Sequence, residues 1–350
     1  MANNMGSIAK PRQSNMELLR IIAILMITMH HTIIEKYRGS IVDGDVFVNG
    51  WQLATFINGF VYIGVNLFIL ISGFWGIKFK WKGVLNLLIF CSFYKFINLT
   101  ISTYYFHEGA HSIGNICANT ITALSRTPKW FILAYIALYF LSPVLNTAID
   151  QMSKQQYRRA LIILSIYCLY FGFIRGVKIF NDTGYSVGHF IWLYLIAGYI
   201  RKHTTKEEIS QRKPLLIMLY VVSCLIWSAL TITNFSGINI PFWHPTTYNN
   251  PFTLSASIAF FCLFTTFEFH NKLINHIAKS ALAVYLLNLP MLKYLPKELE
   301  QELFGITYLG LALMWTICRF CVSVGVDQIR KLCMIPIDNI WNRAIAKQQH

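Results

Sequence analysis

Charge is what this sequence has least of. Asp, Glu, Lys and Arg together make up 13% of the 350 residues, against 55% hydrophobic residues, and the mean hydropathy is +0.48. The hydrophilic stretches are all short, which excludes an ordinary soluble enzyme. One transmembrane domain over 1–350 is expected, with cytoplasmic tails at 1–14 and 331–350. Acidic residues are scarcer still, 15 against 30 basic ones, for a formal charge of +15. In a soluble chain that excess points to nucleic acid. Here the basic residues sit between apolar runs, where they orient the chain and meet anionic headgroups, so membrane lipid is the expected partner and nucleic acid is not.

Other features are missing too. The first apolar run follows Lys10 and Arg12 like a secretory leader, but His30 and His31 interrupt it and no small-residue cleavage site follows. It is expected to stay as a first helix. The eight cysteines are scattered, and Cys318-x-x-Cys321 has no second pair to complete a zinc site, so no metal is expected there. No solenoid period, heptad array or low-complexity tract is present.

What the chain does have is apolar runs. Windows of about 20 residues, the length that crosses a ~30 Å hydrocarbon core, fall near 17–37, 53–77, 83–106, 130–150, 159–178, 187–201, 214–233, 251–269, 274–293 and 304–328. The expected fold is therefore all-α, a polytopic transmembrane helix bundle of about ten spans. Basic residues gather in alternate connections, for example Lys78, Lys80 and Lys82, then Lys154, Arg158 and Arg159, then Arg201 to Lys213, while 234–250 holds none. That asymmetry predicts both termini in the cytoplasm.

The first span, RIIAILMITMHHTIIE, opens on Arg20 and ends on Glu35. At 100° per residue, Arg20 and His31 point within about 20° of one another, some 16 Å apart along the axis. Glu35 lies one turn beyond His31, within reach of its imidazole, whereas His30 points about 100° away. Ionisable groups at membrane depth cost several kcal/mol unless they face partners or a cavity, so this stripe predicts a polar cleft inside the bundle. The plainer alternative has Arg20 snorkelling to headgroups and His31 bonding to a neighbouring helix.

The second span ends GVNLFILISGFWGIKFKWKG. Ser72 and Gly73 permit close helix approach, and Lys78, Lys80 and Lys82 follow on the expected cytoplasmic side, where they suit the phosphates of a nucleotide-like ligand. A positive-inside loop has the same appearance.

The Arg20-x10-His31 arrangement, followed by FILISGF at 68–74, resembles the acyltransferase family 3 membrane proteins. WFILAYIALYFLSPVLN at 130–146, FIWLYLIAGYIRK at 190–202, YNNPFTLSASIAFFCLF at 248–264 and AKSALAVYLL at 278–287 are similar to blocks of the branch without an added extracytoplasmic domain. The resemblance implies transfer of an acyl group, acetyl above all, from acetyl-CoA or another acyl-CoA to a hydroxyl of a glycan or lipid-linked saccharide, in the cytoplasmic membrane of a bacterium. It also brings Trp130, Tyr135 and Asn250 forward as substrate-binding candidates. Two departures stand out: relatives often read VYLIH where this chain has Val284-Tyr285-Leu286-Leu287-Asn288, and many carry arginines after SGF where this one has lysines, which keep the charge but lose bidentate phosphate geometry.

Transfer from a thioester to a hydroxyl needs a base, a positive group near the developing oxyanion, and exclusion of water. His31 is expected to be the base, with Arg20 and Glu35 as catalytic partners, and Arg20, Lys78, Lys80 and Lys82 are expected to bind the phosphorylated donor. No resident cofactor is expected. An acyl-histidine at His31 is the alternative. Two rival classes fit parts of the pattern: a transporter for a lipid-linked sugar, and a metalloprotease built on His107-Glu108-Gly109-Ala110-His111. The latter is a literal HExxH in a Gly-containing connection with no third ligand downstream. Asn66, Tyr139 and His189 are polar residues within spans that either line the cleft or bond one helix to another.

Overall fold

The computed structural model describes residues 13–38, 48–105, 107, 112–121, 129–177, 183–292 and 303–348, with the backbone alone at 121, 289–292 and 333–348. All regular structure among them is helical: α1 Ser14–Arg38, α2 Trp51–Val61, α3 Gly64–Trp75, α4 Trp81–Tyr104, α5 Ile113–Ile121, α6 Trp130–Gln151 and α7 Lys154–Ile166, which runs on as a π-helix over Tyr167–Ile174. Then follow α8 Val187–His203, α9 Lys206–Gln211, α10 Lys213–Phe235, α11 Pro251–Thr265, α12 Lys272–Ile277, α13 Ala281–Leu292 and α14 Gly305–Gln348.

Seven stretches are long and apolar enough to cross a bilayer: α1, α2 with α3, α4, α6, α7 with its π-helix, α10, and α14 as far as Leu332. Of the three other expected spans, α8 has 17 residues and α11 has 15, which at ~1.5 Å per residue falls short of the ~30 Å of a hydrocarbon core. The third is covered by α12, a 3-10 turn over Ala278–Ser280 and α13, which follow one another without a break from Lys272 to Leu292. Apolar side chains such as Ile89, Phe96, Val144, Ile163, Leu215 and Met314 face outward, as a lipid-facing surface requires.

Helix α1 is the hub. It packs against α2, α3, α11, α12, α13 and α14, with Leu19, Ala23, Ile24 and Ile33 fully buried. Polar bonds tie its first turn down: Asn15 Nδ2 donates to the Phe264 carbonyl at 2.8 Å, one of the last carbonyls of α11, and Ser14 Oγ accepts from Asn271 N at 2.8 Å.

The second expected span is two helices rather than one, interrupted at Tyr62 and Ile63. Close approach explains the glycines on either side of α3. A Cβ on Gly64 would lie 2.7 Å from the Ala23 carbonyl oxygen of α1, and one on Gly73 would lie 2.5 Å from the Tyr194 carbonyl oxygen of α8. Gly73 of the SGF signature thus lets two backbones meet, as small residues do where membrane helices cross.

Candidate active site

Helix α1 divides its cleft face between two cavities of about 340 Å³ each. The inner one, nearer the start of α1, is walled by Arg20, Phe68, Ser72, Leu87, Tyr135 and Lys279 among others. The outer one, nearer its end, holds His30, His31, Glu35, Arg38, Trp130 and Tyr185. Ile27 and Tyr285 line both. Arg20 and His31 therefore look into the bundle rather than at lipid, in adjoining chambers rather than in one common cleft.

His31 makes no hydrogen bond among the described residues, and its ring borders the outer cavity. His30 does the opposite. Its Nδ1 lies 2.6 Å from Asn58 Oδ1, and since that oxygen only accepts, Nδ1 carries the proton. The His30 ring tilts against both His31 and Tyr62, with centroids 5.2 and 5.0 Å away. One histidine is thus held by α2 while its neighbour is left open to a ligand.

An aromatic wall lines the same outer cavity as His31. Tyr62 stacks on Tyr248 at 4.8 Å with the rings 6° from parallel, and Trp130 stacks on the same ring at 5.7 Å. Tyr185 closes the group, its hydroxyl 3.3 Å from that of Tyr62 and 3.4 Å from the Thr246 carbonyl that accepts from it. Burial, then the neighbouring phenols of Tyr185 and Tyr285, push the Tyr248 hydroxyl well above its ordinary range, and burial also raises Tyr185. Both stay neutral donors. Behind the wall, His189 Nε2 donates to Asn66 Oδ1 at 2.9 Å, and Asn66 Nδ2 donates to the Tyr248 carbonyl at 3.1 Å and to Ser257 Oγ at 3.2 Å. Asn66 and His189 thus bond helix to helix and hold the Tyr248 backbone in place.

In the inner cavity, Arg20 Nη1 lies 2.6 Å from Glu17 Oε2, a carboxylate only 5% exposed. Pairing with this buried carboxylate holds the half-buried guanidinium at the cavity, where an unpaired arginine at a helix start would snorkel outward. Lys279 shares this cavity.

Two further cations, Arg319 buried and Lys129 half-buried, brace the walls. Arg319 of α14 is 1% exposed. It donates through Nη1 to Asn288 Oδ1 at 2.9 Å, and through Nη2 to the Thr28 carbonyl at 3.0 Å and to the Thr32 hydroxyl. Asn288 is an acceptor for arginine here. Lys129 Nζ donates to the Tyr285 and Leu286 carbonyls at 3.1 and 3.0 Å. The second of these has a simple origin: Pro290, four residues on, has no N–H for the Leu286 carbonyl, and Lys129 supplies the missing donor.

The remaining expected residues fall in different places. Glu35 is exposed at the edge of the outer cavity, and no hydrogen bond joins it to His31 among the described residues, because its carboxylate lies out at the rim. Lys78, Lys80 and Lys82 are exposed and line neither cavity. Lys78 and Lys80 lie in the connection between α3 and α4 and Lys82 in the first turn of α4, two helices that do wall the inner one through Ser72 and Leu87. Trp130 is in the outer cavity and Tyr135 in the inner. Asn250 lines neither: it caps α11, accepting from Phe252 N at 3.0 Å. The Tyr139 hydroxyl donates to backbone carbonyls of the basic connection, 3.3 Å from Lys78 O and Lys80 O. Cys318 and Cys321 are exposed on α14, and of the HExxH residues only His107 is among those described.

Sequence reasoning passed over Lys279, Lys129, Arg319, Tyr62 and Tyr185. A lysine or arginine inside or beside an apolar run was a usable signal for the first three. The tyrosines gave none, since aromatic residues are common throughout the spans.

No curated protein and no solved structure matches the chain. The family described as an acyltransferase domain matches residues 13–326, nearly the whole length, and includes every element that walls the two cavities. The chain belongs to acyltransferase family 3, and it is a membrane protein of that family.

Proposed function

We propose that the chain moves an acetyl group from acetyl-CoA, entering from the cytoplasm, to a hydroxyl of a glycan or lipid-linked saccharide in the outer cavity, with His31 as general base. The observation that carries this reading is the placement of Arg20 and His31 in adjoining chambers of one helix face. Both termini are taken to lie in the cytoplasm of a bacterial cell, which puts the inner cavity on the side where coenzyme A is made. Arg20 and Lys279 bind phosphate or polarise the donor within the cavity, and Lys78, Lys80 and Lys82 hold phosphates at its rim.

The saccharide lies against the wall of Tyr62, Trp130, Tyr185 and Tyr248, whose aromatic carbons suit the C–H face of a sugar ring. His31, open to the cavity, accepts the proton of the acceptor hydroxyl as the hydroxyl oxygen attacks the thioester carbonyl. The new C–O bond forms, the C–S bond breaks, and the imidazolium returns its proton to the departing thiolate, giving an ester and free coenzyme A. Packed apolar walls exclude water, which would otherwise hydrolyse the thioester.

The test is transfer of labelled acetyl from acetyl-CoA to the envelope glycans of the host, read by mass spectrometry. His31→Ala should abolish the new ester while the protein remains inserted and thermally stable. Full transfer by that variant would overturn the role of His31.

A further inference from the structure

We infer that Ile27 and Tyr285 form a rigid waist between the two cavities that selects the acyl group by its width rather than its length. This rests on the acyl-transfer reading above and identifies which donors that site accepts. Ile27 and Tyr285 are the two residues common to the walls of both chambers. Along α1, Ile27 stands about 10 Å beyond Arg20 and about 6 Å before His31 on the same side of the helix, at the level a thioester must pass to reach the imidazole.

Neither residue can step aside. Ile27 is β-branched and so stiff at χ1, and the backbone of α3 sits directly behind it: a Cβ on Gly64 would come within 2.8 Å of Ile27 Cγ1. The Tyr285 ring lies 5.1 Å from that of Phe131 and carries the Lys129 ammonium 4.9 Å above its centroid, while the same ammonium holds its carbonyl. An opening walled this way is fixed in size, because packed interiors resist deformation.

The acyl group leads the thioester through this opening. A linear chain adds length behind a constant cross-section, and the outer cavity of about 340 Å³ can take it up. A methyl branch beside the carbonyl adds width at the waist itself. Isobutyryl-CoA and n-butyryl-CoA have the same atoms and nearly the same hydrophobicity, so a difference between them reports width alone.

The experiment uses the full chain in lipid nanodiscs, envelope glycan from host cells lacking the chain as acceptor, and acetyl-, n-butyryl- and isobutyryl-CoA as donors, with ester formation read by mass spectrometry. The wild-type chain should use isobutyryl-CoA about tenfold less well than n-butyryl-CoA, the scale on which one misplaced methyl group is felt. Ile27→Ala should narrow that gap to about twofold, and Ile27→Val, a milder change that guards against misfolding, should narrow it partway. Equal use of the two isomers by the wild-type chain, or an unchanged gap in both variants, would overturn the waist. Absence of acetyl transfer by the wild-type chain would instead overturn the acyl-transfer reading, and the waist with it.

Discussion

Arg319 on α14 and Thr28 on α1 are joined by a hydrogen bond of 3.0 Å from Nη2 to the carbonyl oxygen, three residues before His31. The same guanidinium reaches Thr32, one residue after it, and Asn288 on α13. The helical turn that carries His31 is thereby pinned from behind by a planar fork. Hydrogen bonds to a charged group contribute about 1.5–3 kcal/mol each, and lysine has the charge without the fork. Arg319→Met is expected to lower both the melting temperature and kcat, the latter by about tenfold or more, equivalent to ~1.4 kcal/mol of transition-state stabilisation. Arg319→Lys should recover the melting temperature in part. Differential scanning fluorimetry alongside the acetyl-transfer assay separates the two effects, and an unchanged kcat in Arg319→Met would remove the pinning role.

The crossing of α3 and α8 depends on Gly73. A side chain there would meet the Tyr194 carbonyl oxygen at 2.5 Å and Cα at 2.7 Å, both backbone atoms that cannot rotate away. Overpacking of this kind costs about 1–3 kcal/mol or more. Gly73→Leu should accumulate poorly and melt early in detergent, while Ser72→Ala, whose hydroxyl bonds, among the described residues, to the Phe68 carbonyl of its own helix alone, should change stability little. Normal accumulation of Gly73→Leu would contradict the close approach.

Lys279 and the group of Lys78, Lys80 and Lys82 are expected to make separable contributions to donor binding. All four are exposed, but Lys279 lines the inner cavity and the other three line neither. Lys279→Ala should raise the KM for acetyl-CoA about tenfold, the loss of one charge-assisted contact. The triple alanine variant at the rim should raise it less, and its effect should vanish at high salt. A titration of acetyl-CoA at low and high ionic strength reads both, and an unchanged KM in Lys279→Ala would move the phosphates elsewhere.

The aromatic wall predicts where acceptor affinity resides. Trp130→Ala removes a ring that stacks on Tyr248 and touches Tyr185 at 4.7 Å. Ring stacking contributes about 0.5–1.5 kcal/mol beyond area burial. The variant should therefore raise the acceptor KM several-fold and leave the donor KM near its original value. A rise in the donor KM alone would place Trp130 on the donor side.

Much of this was legible in the sequence because the bilayer is a demanding solvent. Apolar runs of bilayer length dictate helices, and an 11-residue spacing dictates that Arg20 and His31 share a face whatever surrounds them. Close helix approach at Gly73 was legible for the same reason, since a glycine in a membrane helix has few other uses. The length of each span was not. Helices α8 and α11 are apolar like the rest, and composition does not say that a helix stops short inside a bundle.

What the sequence by itself determined is local and periodic: an all-helical membrane chain, a face bearing guanidinium and imidazole, and a family signature. Which groups meet across that face only the tertiary structure decided. Glu35 came within one turn of His31 in sequence, yet its carboxylate turns to the rim, while Arg319, 288 positions away from His31 along the chain, bonds to the residues on either side of it. Helical periodicity governs neighbours three and four residues apart, whereas contacts between helices follow from how side chains interdigitate, and that information is spread over every packed surface at once.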